Sequence, residues 1–257
     1  VTNGTNVSVK SLTVENGAKI TITEGDSVNI TNGISGGGQL NAVSSVFTIG
    51  GDISFDPLSS SSSKLRLNGS DAQHISGEII MDSIQIINTG PGVTASNDVT
   101  VDGDLLVSND MMMQNGTNLT INGSLRGSGV LSGDDSVIEF AGPLSITAMD
   151  LTNATALFTG TSAQLTNSFQ SVTDMTIDNP AGVTLNSDIT VSSTLTLTSG
   201  TLTMPSGRNL IANTKAISGG NLRFKREVTG SQGWRLLSSP VGTDFNDFLG
   251  NIFTQGY

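Results

Sequence analysis

Apolar residues alternate with small polar residues along almost the whole chain. Val7 and Val9, like Val99 and Val101, flank a single polar residue, and such runs last three to six positions before meeting Asn-Gly, Asp-Gly, Ser-Gly or Gly-Gly. A period of two with one apolar side predicts short β-strands that are buried on one side. No apolar set recurs at helical spacing over three turns, so we expect almost no helix.

The strand–turn units also resemble one another. Residues 98–101 (Asp-Val-Thr-Val), followed by Leu105, match residues 188–191 (Asp-Ile-Thr-Val), followed by Leu195. Residues 11–14 match residues 201–204 in the same way, and residues 118–121 are a further variant. Degenerate units at a spacing of about 20 residues indicate a solenoid, in which each coil buries its core against the next.

The predicted fold class is therefore all-β, a right-handed parallel β-helix or solenoid. Hairpin architectures compete with this interpretation, because the Asn-Gly steps are also hairpin signals, and an antiparallel sandwich is the alternative. Only 13% of the residues are charged, against roughly 25% in an average globular protein. Neutral side chains favour the parallel stack, where like residues lie above one another and charges of one sign would repel.

Three segments depart from the pattern. Residues 36–38 (three glycines) and 59–63 (five serines) are predicted to be loops that bulge from one face. From residue 221 onward, charged and aromatic residues become more frequent. We therefore expect residues 1–220 to form the solenoid, and residues 221–257 to form its C-terminal cap or the beginning of a second β domain.

Composition narrows the possible partners. The chain carries a net charge of −11 and no cysteine, so its stability must come from a buried core and not from disulfides. An acidic chain without a basic cluster is not expected to bind nucleic acid or anionic lipid. No apolar run approaches the roughly 20 residues of a membrane helix, so no membrane insertion is expected.

One acidic region suggests a metal site. Asp98, Asp102, Asp104, Asn109 and Asp110 supply hard oxygen ligands within a short stretch, and calcium prefers such ligands. The favoured interpretation is instead a solvated acidic edge that aids solubility, so no cofactor is assigned and calcium is kept as the weaker hypothesis.

Catalytic signatures are sparse. The single histidine, His74, follows Lys64, Arg66 and Asp71, which suggests a polysaccharide-lyase-like site with a base and cations that neutralise a uronate carboxylate. The favoured interpretation of His74 is an ordinary turn residue, so we assign no catalytic residue and expect a protein that is not an enzyme.

Alternating threonines suggest a minor alternative, an ice-binding face. Strand propensity alone accounts for threonine at such positions. The residues concerned are Thr194, Thr196, Thr198, Thr201 and Thr203.

The C-terminal stretch carries a family resemblance. Residues 233–240 (Gly-Trp-Arg-Leu-Leu-Ser-Ser-Pro), followed by Phe245 and Phe248, resemble a segment of large surface proteins of bacteria that use the type IX secretion system. The Thr/Ser-rich residues 195–203 are similar to the β-solenoids of those proteins. The resemblance implies secretion, an extracellular or cell-surface location, and a chain that is a fragment of a longer protein.

The same resemblance implies a modification. Bacteria of this group O-glycosylate a Ser or Thr that follows Asp and precedes an aliphatic residue. The sequence places Ser27, Ser83 and Ser136 in that context. A glycan there would be bulky, solubilising and on the surface.

The expected function is a non-catalytic structural or adhesive element of a bacterial surface protein. Its expected partners are further copies of itself, by lateral or head-to-tail contacts that build a filament, or surface glycans and proteins. The alternative is a carbohydrate-active or sugar-binding β-helix, which needs a groove of basic and aromatic residues in register across the coils.

Overall fold

The structure is a computed structural model, and it describes residues 4–114, 116–225 and 227. Every regular element in these ranges is a β-strand. The strands are, in chain order, β1 Asn6–Val14, β2 Lys19–Ile22, β3 Ser27–Gly36, β4 Gln39–Ala42, β5 Val46–Ile49, β6 Asp52–Phe55, β7 Leu58–Leu67, β8 Gln73–Ile75, β9 Ile79–Ile86, β10 Val93–Ala95, β11 Val99–Val101, β12 Leu105–Val107, β13 Met111–Met113, β14 Asn118–Ile121, β15 Leu125–Phe140, β16 Leu144–Phe158, β17 Gln164–Thr166, β18 Ser171–Asp178, β19 Val183–Leu185, β20 Ile189–Ser199, β21 Thr201–Met204, β22 Leu210–Ile217 and β23 Asn221–Phe224.

The strands wind into a parallel β-solenoid of about 11 turns. Each coil has three strand segments, and long strands such as β15 bend through a corner and supply two or three of them. Register partners lie between 18 positions apart (Val46 and Lys64) and 22 apart (Ser11 and Gly33). The parallel solenoid predicted from the alternation is therefore confirmed.

We call the three sides of the solenoid faces A, B and C, in the order in which each coil visits them. In the coil of residues 105–121, β12 lies on face A, β13 on face B and β14 on face C. Face A begins with residues 6–9, 27–30, 46–49, 64–67 and 84–86 of successive coils. It continues through β12 and residues 125–127.

Inward-facing side chains stack directly on one another through successive coils. On face A, Phe47, Leu65, Ile84 and Leu105 are register neighbours in turn, and all are fully buried. On face C, the ring centroids of Phe140 and Phe158 are 5.3 Å apart, within the range of favourable aromatic pairs. This continuous aliphatic column explains how a chain with only 4% aromatic residues builds a core.

The two predicted loops are wrong. Residues 59–63 belong to β7, which turns from face C to face A. The hydroxyl of Ser60 donates to the Ala42 carbonyl, and the hydroxyl of Ser63 accepts from the Ser45 amide. Gly36 ends β3 and Gln39 begins β4, so the glycine run is a two-residue corner. Small side chains are needed at these corners because the neighbouring coil is in contact with them.

Strand pairing continues past residue 220. β23 pairs in parallel with β21, so the solenoid continues through Phe224. The remainder of the expected cap or second domain, and the segment 233–240 that carries the family resemblance, lie outside the described residues.

Candidate functional site

The four aspartates proposed for calcium do not converge. Asp98, Asp104 and Asp110 each accept a hydrogen bond from a backbone N–H of the next coil, that of Asn118 (2.8 Å), Ser124 (3.2 Å) and Val130 (3.1 Å) respectively. Asp102 instead accepts from the Asn122 amide side chain at 3.2 Å. Within the described ranges, no group of three or more His, Cys, Asp or Glu is arranged to hold a metal ion. The fold therefore does not bring these aspartates together into the calcium site that the sequence suggested.

These aspartates belong to a wider set that ties adjacent coils together. Asp52, Asp174 and Asp188 accept backbone N–H groups 20 to 22 positions later, as the three aspartates above do. A corner interrupts the strand ladder, so an N–H there has no ladder partner, and the carboxylate of the preceding coil accepts its hydrogen bond. A short carboxylate supplies a charge-assisted hydrogen bond. The available sequence signal was an Asp directly before a strand, which is the position of Asp98, Asp104, Asp110 and Asp188.

Two buried glutamines also connect adjacent coils at the corners, as hydrogen-bond donors. Gln73 donates from Nε2 to the carbonyls of Ile49 and Gly51, which lie 24 and 22 positions earlier. Gln164 donates to Phe140 and Gly142 at the same two offsets. Both glutamines follow an alanine in an Ala-Gln step. That recurring dipeptide was the available sequence signal, and it was missed.

The lyase-like site that the sequence suggested around His74 does not form. The favoured interpretation of His74 as a turn residue is also wrong, because it is the central residue of strand β8. His74 lies on face B, in register with Thr94, and its backbone N–H donates to Asp52. Lys64 and Arg66 point outward from face A, in register with Ser83 and Gln85. The histidine and the two cations therefore belong to different sides of the solenoid, although they are close in the sequence.

A shallow cleft of about 300 Å³ does lie on face A. Four successive coils contribute polar side chains to it, and we call it the face A cleft. Its lining residues are Lys64, Asp82, Ser83, Ile84, Gln85, Gly103, Asp104, Leu106 and Arg126.

Polar contacts in the face A cleft connect its side chains. Arg126 Nη2 lies 3.1 Å from Asp104 Oδ2, with the two side chains 51% and 43% exposed. Arg66 borders the cleft and donates from Nε to Gln85 Oε1 at 3.0 Å. The Ser124 hydroxyl donates to Asp104. This arrangement offers guanidinium donors beside carboxylate and amide acceptors on an accessible surface.

These contacts affect the acidity of Asp104. Hydrogen bonds from the Ser124 hydroxyl and amide, with the nearby positive charges of Arg126 and Lys64, hold the pKa of Asp104 below its ordinary value despite partial desolvation. A group with a lowered folded-state pKa stabilises the fold above its ordinary pKa. That contribution is lost as the pH falls through the folded-state pKa.

We expect Asp104→Asn to lower the free energy of unfolding by less than about 1 kcal/mol at neutral pH, because the carboxylate is exposed. The difference from the parent chain should vanish at a pH below the folded-state pKa, since both chains are then uncharged at this position. Urea unfolding at neutral and acid pH measures this, with Asp71→Asn, an exposed corner residue, as control. An equal difference at both pH values would contradict the electrostatic origin.

The three serines proposed for O-glycosylation have different surroundings. Ser27 is half-buried, and its hydroxyl donates to Asn6 at 2.7 Å. Ser83 is buried in the wall of the face A cleft. Ser136 is only 2% exposed and its Oγ has no contact with solvent. Ser136 therefore has no room for a glycan in the folded chain, and Ser27 remains the accessible candidate of the three.

The threonine rows do not form one surface. Thr196 lies on face C, whereas Thr201 and Thr203 belong to β21 on face A. Along the outward row of face C, Glu139 and Leu157 interrupt the threonines. The aligned rows that an ice-binding face needs are therefore absent from these positions.

Comparison of the chain with protein-family models, with curated proteins and with solved structures finds no match. The fold alone therefore classifies the described residues, and their class is the parallel β-solenoid. The described part of the chain also contains no helix with the length and apolar composition that crossing a membrane requires.

Proposed function

We propose that the chain is a non-catalytic structural or adhesive element of an extracellular or cell-surface protein. The observation that carries this proposal is the unbroken core. About 11 turns at about 4.8 Å each extend the solenoid over roughly 50 Å, with buried side chains in register from coil to coil. Such a scaffold holds its outer faces at fixed positions, as an adhesive surface requires.

The coil-to-coil hydrogen bonds support a mechanical role. Backbone ladders run along the solenoid axis, and the aspartates and glutamines of the corners add bonds in the same direction. Each coil is therefore held to the next by several hydrogen bonds that run along the axis. The similarity of residues 233–240 to surface proteins of bacteria with type IX secretion supports the proposed location.

Self-association remains part of the proposal. Parallel strand edges at the two ends of a solenoid are complementary, and head-to-tail contacts of this kind produce open filaments. Sedimentation over a range of concentrations tests for this association.

A sugar-binding role is the second candidate, and the face A cleft is the observation that favours it. In the lyase-like version of that role, the base suggested by the sequence was His74, and it lies on another face. The sugar-binding role is compatible with adhesion, because an adhesive scaffold needs a surface that recognises its target.

Antibody labelling of intact cells of the source organism, with and without external protease, tests the location. We expect labelling that protease removes. Incubation of the purified chain with neutral and uronate polysaccharides, followed by product analysis, tests the absence of catalysis. Labelling only after cell lysis would overturn the proposed location, and the release of shortened or unsaturated sugars would overturn the non-catalytic role.

A further inference from the structure

The distribution of positive charge along the solenoid is unusual. Between Lys19 and Arg208 the sequence contains only three Lys or Arg residues, namely Lys64, Arg66 and Arg126. Arg126 is 60 positions after Arg66, yet all three side chains point outward from face A. In a chain with a net charge of −11, the fold gathers the cations of the central coils around one cleft.

The two arginines lie in a single outward row. Arg66 is in register with Gln85, Gln85 with Leu106, and Leu106 with Arg126. Three coil spacings separate the arginines, which corresponds to about 14 Å along the solenoid axis. Lys64 lies two positions before Arg66 on the same side of β7. A ligand that contacts both arginines must therefore be an extended molecule that lies along the axis.

Both guanidinium groups retain donors for such a ligand. The contact of Arg66 with Gln85 uses Nε, and that of Arg126 with Asp104 uses Nη2. A guanidinium has five N–H donors in a planar fork that matches a carboxylate. The side chain of Arg126 is 51% exposed, so it is accessible without rearrangement of the strand.

The acceptor side chains and the local charge of the cleft determine which kind of anion it can bind. Asp82, Asp104 and Gln85 line it with acceptors, and hydroxyl groups are the donors that these acceptors bind. Three cations against two carboxylates leave a local charge of about +1, which is too small to favour a densely charged phosphodiester chain. A ligand that carries both hydroxyl and carboxylate groups can donate hydrogen bonds to these acceptors and accept hydrogen bonds from the arginines.

We propose that the face A cleft binds an acidic glycan, a uronate-containing oligosaccharide that lies along the solenoid axis between Arg66 and Arg126. The inference deepens the proposed adhesive role and rests on it, because it identifies the class of target that an adhesive surface would recognise. Leu106, at the centre of the row, provides an apolar contact for the C–H groups of a sugar ring.

Isothermal titration of the full chain with a homogeneous uronate hexasaccharide tests the proposal. A neutral glucose hexasaccharide of the same length serves as the ligand control. We expect measurable binding of the uronate and none of the neutral sugar. The double variant Arg66→Gln/Arg126→Gln should weaken uronate binding about a hundredfold, since each of the two lost charge-assisted hydrogen bonds contributes roughly 1.5 kcal/mol, or about tenfold in affinity.

The matched control is Lys19→Gln/Arg208→Gln, which removes the same charge from two exposed positions outside the cleft. It should bind within about twofold of the parent chain. Circular dichroism establishes that both double variants fold, which we expect because exposed ion pairs contribute little stability. No uronate binding, an equal loss in the control, or equal affinity for single-stranded DNA would each overturn the proposal.

This outcome is separable from that of the proposed function. Failure of uronate binding would leave the cell-surface labelling and the absence of sugar cleavage untouched. Conversely, cleavage of the bound hexasaccharide would overturn the non-catalytic role while the cleft remained a uronate site. Neither experiment therefore depends on the success of the other.

Discussion

Leu105→Ala should lower the free energy of unfolding by about 2–5 kcal/mol. Leu105 is 0% exposed and is the register neighbour of Ile84 in the coil before it and Leu125 in the coil after it. The substitution removes apolar contacts on both sides and leaves a cavity in the column that holds the coils together. Urea unfolding followed by far-UV circular dichroism measures the loss.

Leu165→Ala is the matched control, because Leu165 also lies in a three-residue strand of face A but is 56% exposed. We expect a change within about 0.5 kcal/mol, as for most surface substitutions. If the two variants lost similar stability, the assignment of inward and outward positions on face A would be wrong.

Gly123→Ala should cost about 3 kcal/mol or more, through steric overlap between coils. A Cβ at this position would lie 2.3 Å from the carbonyl oxygen of Gly103, which belongs to the backbone of the preceding coil. The Gly123 N–H donates to that same oxygen at 3.0 Å. The coils therefore cannot separate to accept the methyl group without losing a hydrogen bond.

Gly207→Ala separates this steric effect from the general cost of replacing glycine. Gly207 has a φ of +78°, and no neighbouring atom lies within 4 Å of the position that a Cβ would occupy, so only the left-handed conformation opposes alanine. That cost is roughly 1–2 kcal/mol. Thermal unfolding of both variants compares them, and a larger loss for Gly207→Ala would contradict close coil contact at Gly123.

The internal matches in the sequence identified the repeating strand–corner unit, but they did not indicate which face of the coil each unit occupies. Residues 98–101 contribute β11 on face C, whereas residues 188–191 contribute the beginning of β20 on face B. Residues 11–14 are on face B, and the matching β21 is on face A. The repeating unit is one strand and its corner, because all three faces impose the same alternation. The face that a strand occupies depends on the accumulated length of the preceding corners. The alternation of apolar and polar residues does not encode that length.

The sequence alone determined that the chain is built of short strands with one buried side, that it has little helix, and that its coils are about 20 residues long. These properties follow from local alternation and from corners that are rich in Gly, Ser, Asn and Asp. The positions of the charged groups were decided by the tertiary structure. His74 is separated from Lys64, which is only ten positions earlier, while Arg126 is brought into the row of Arg66. Residues are neighbours here when they occupy the same face of successive coils, so proximity depends on the register of the whole stack.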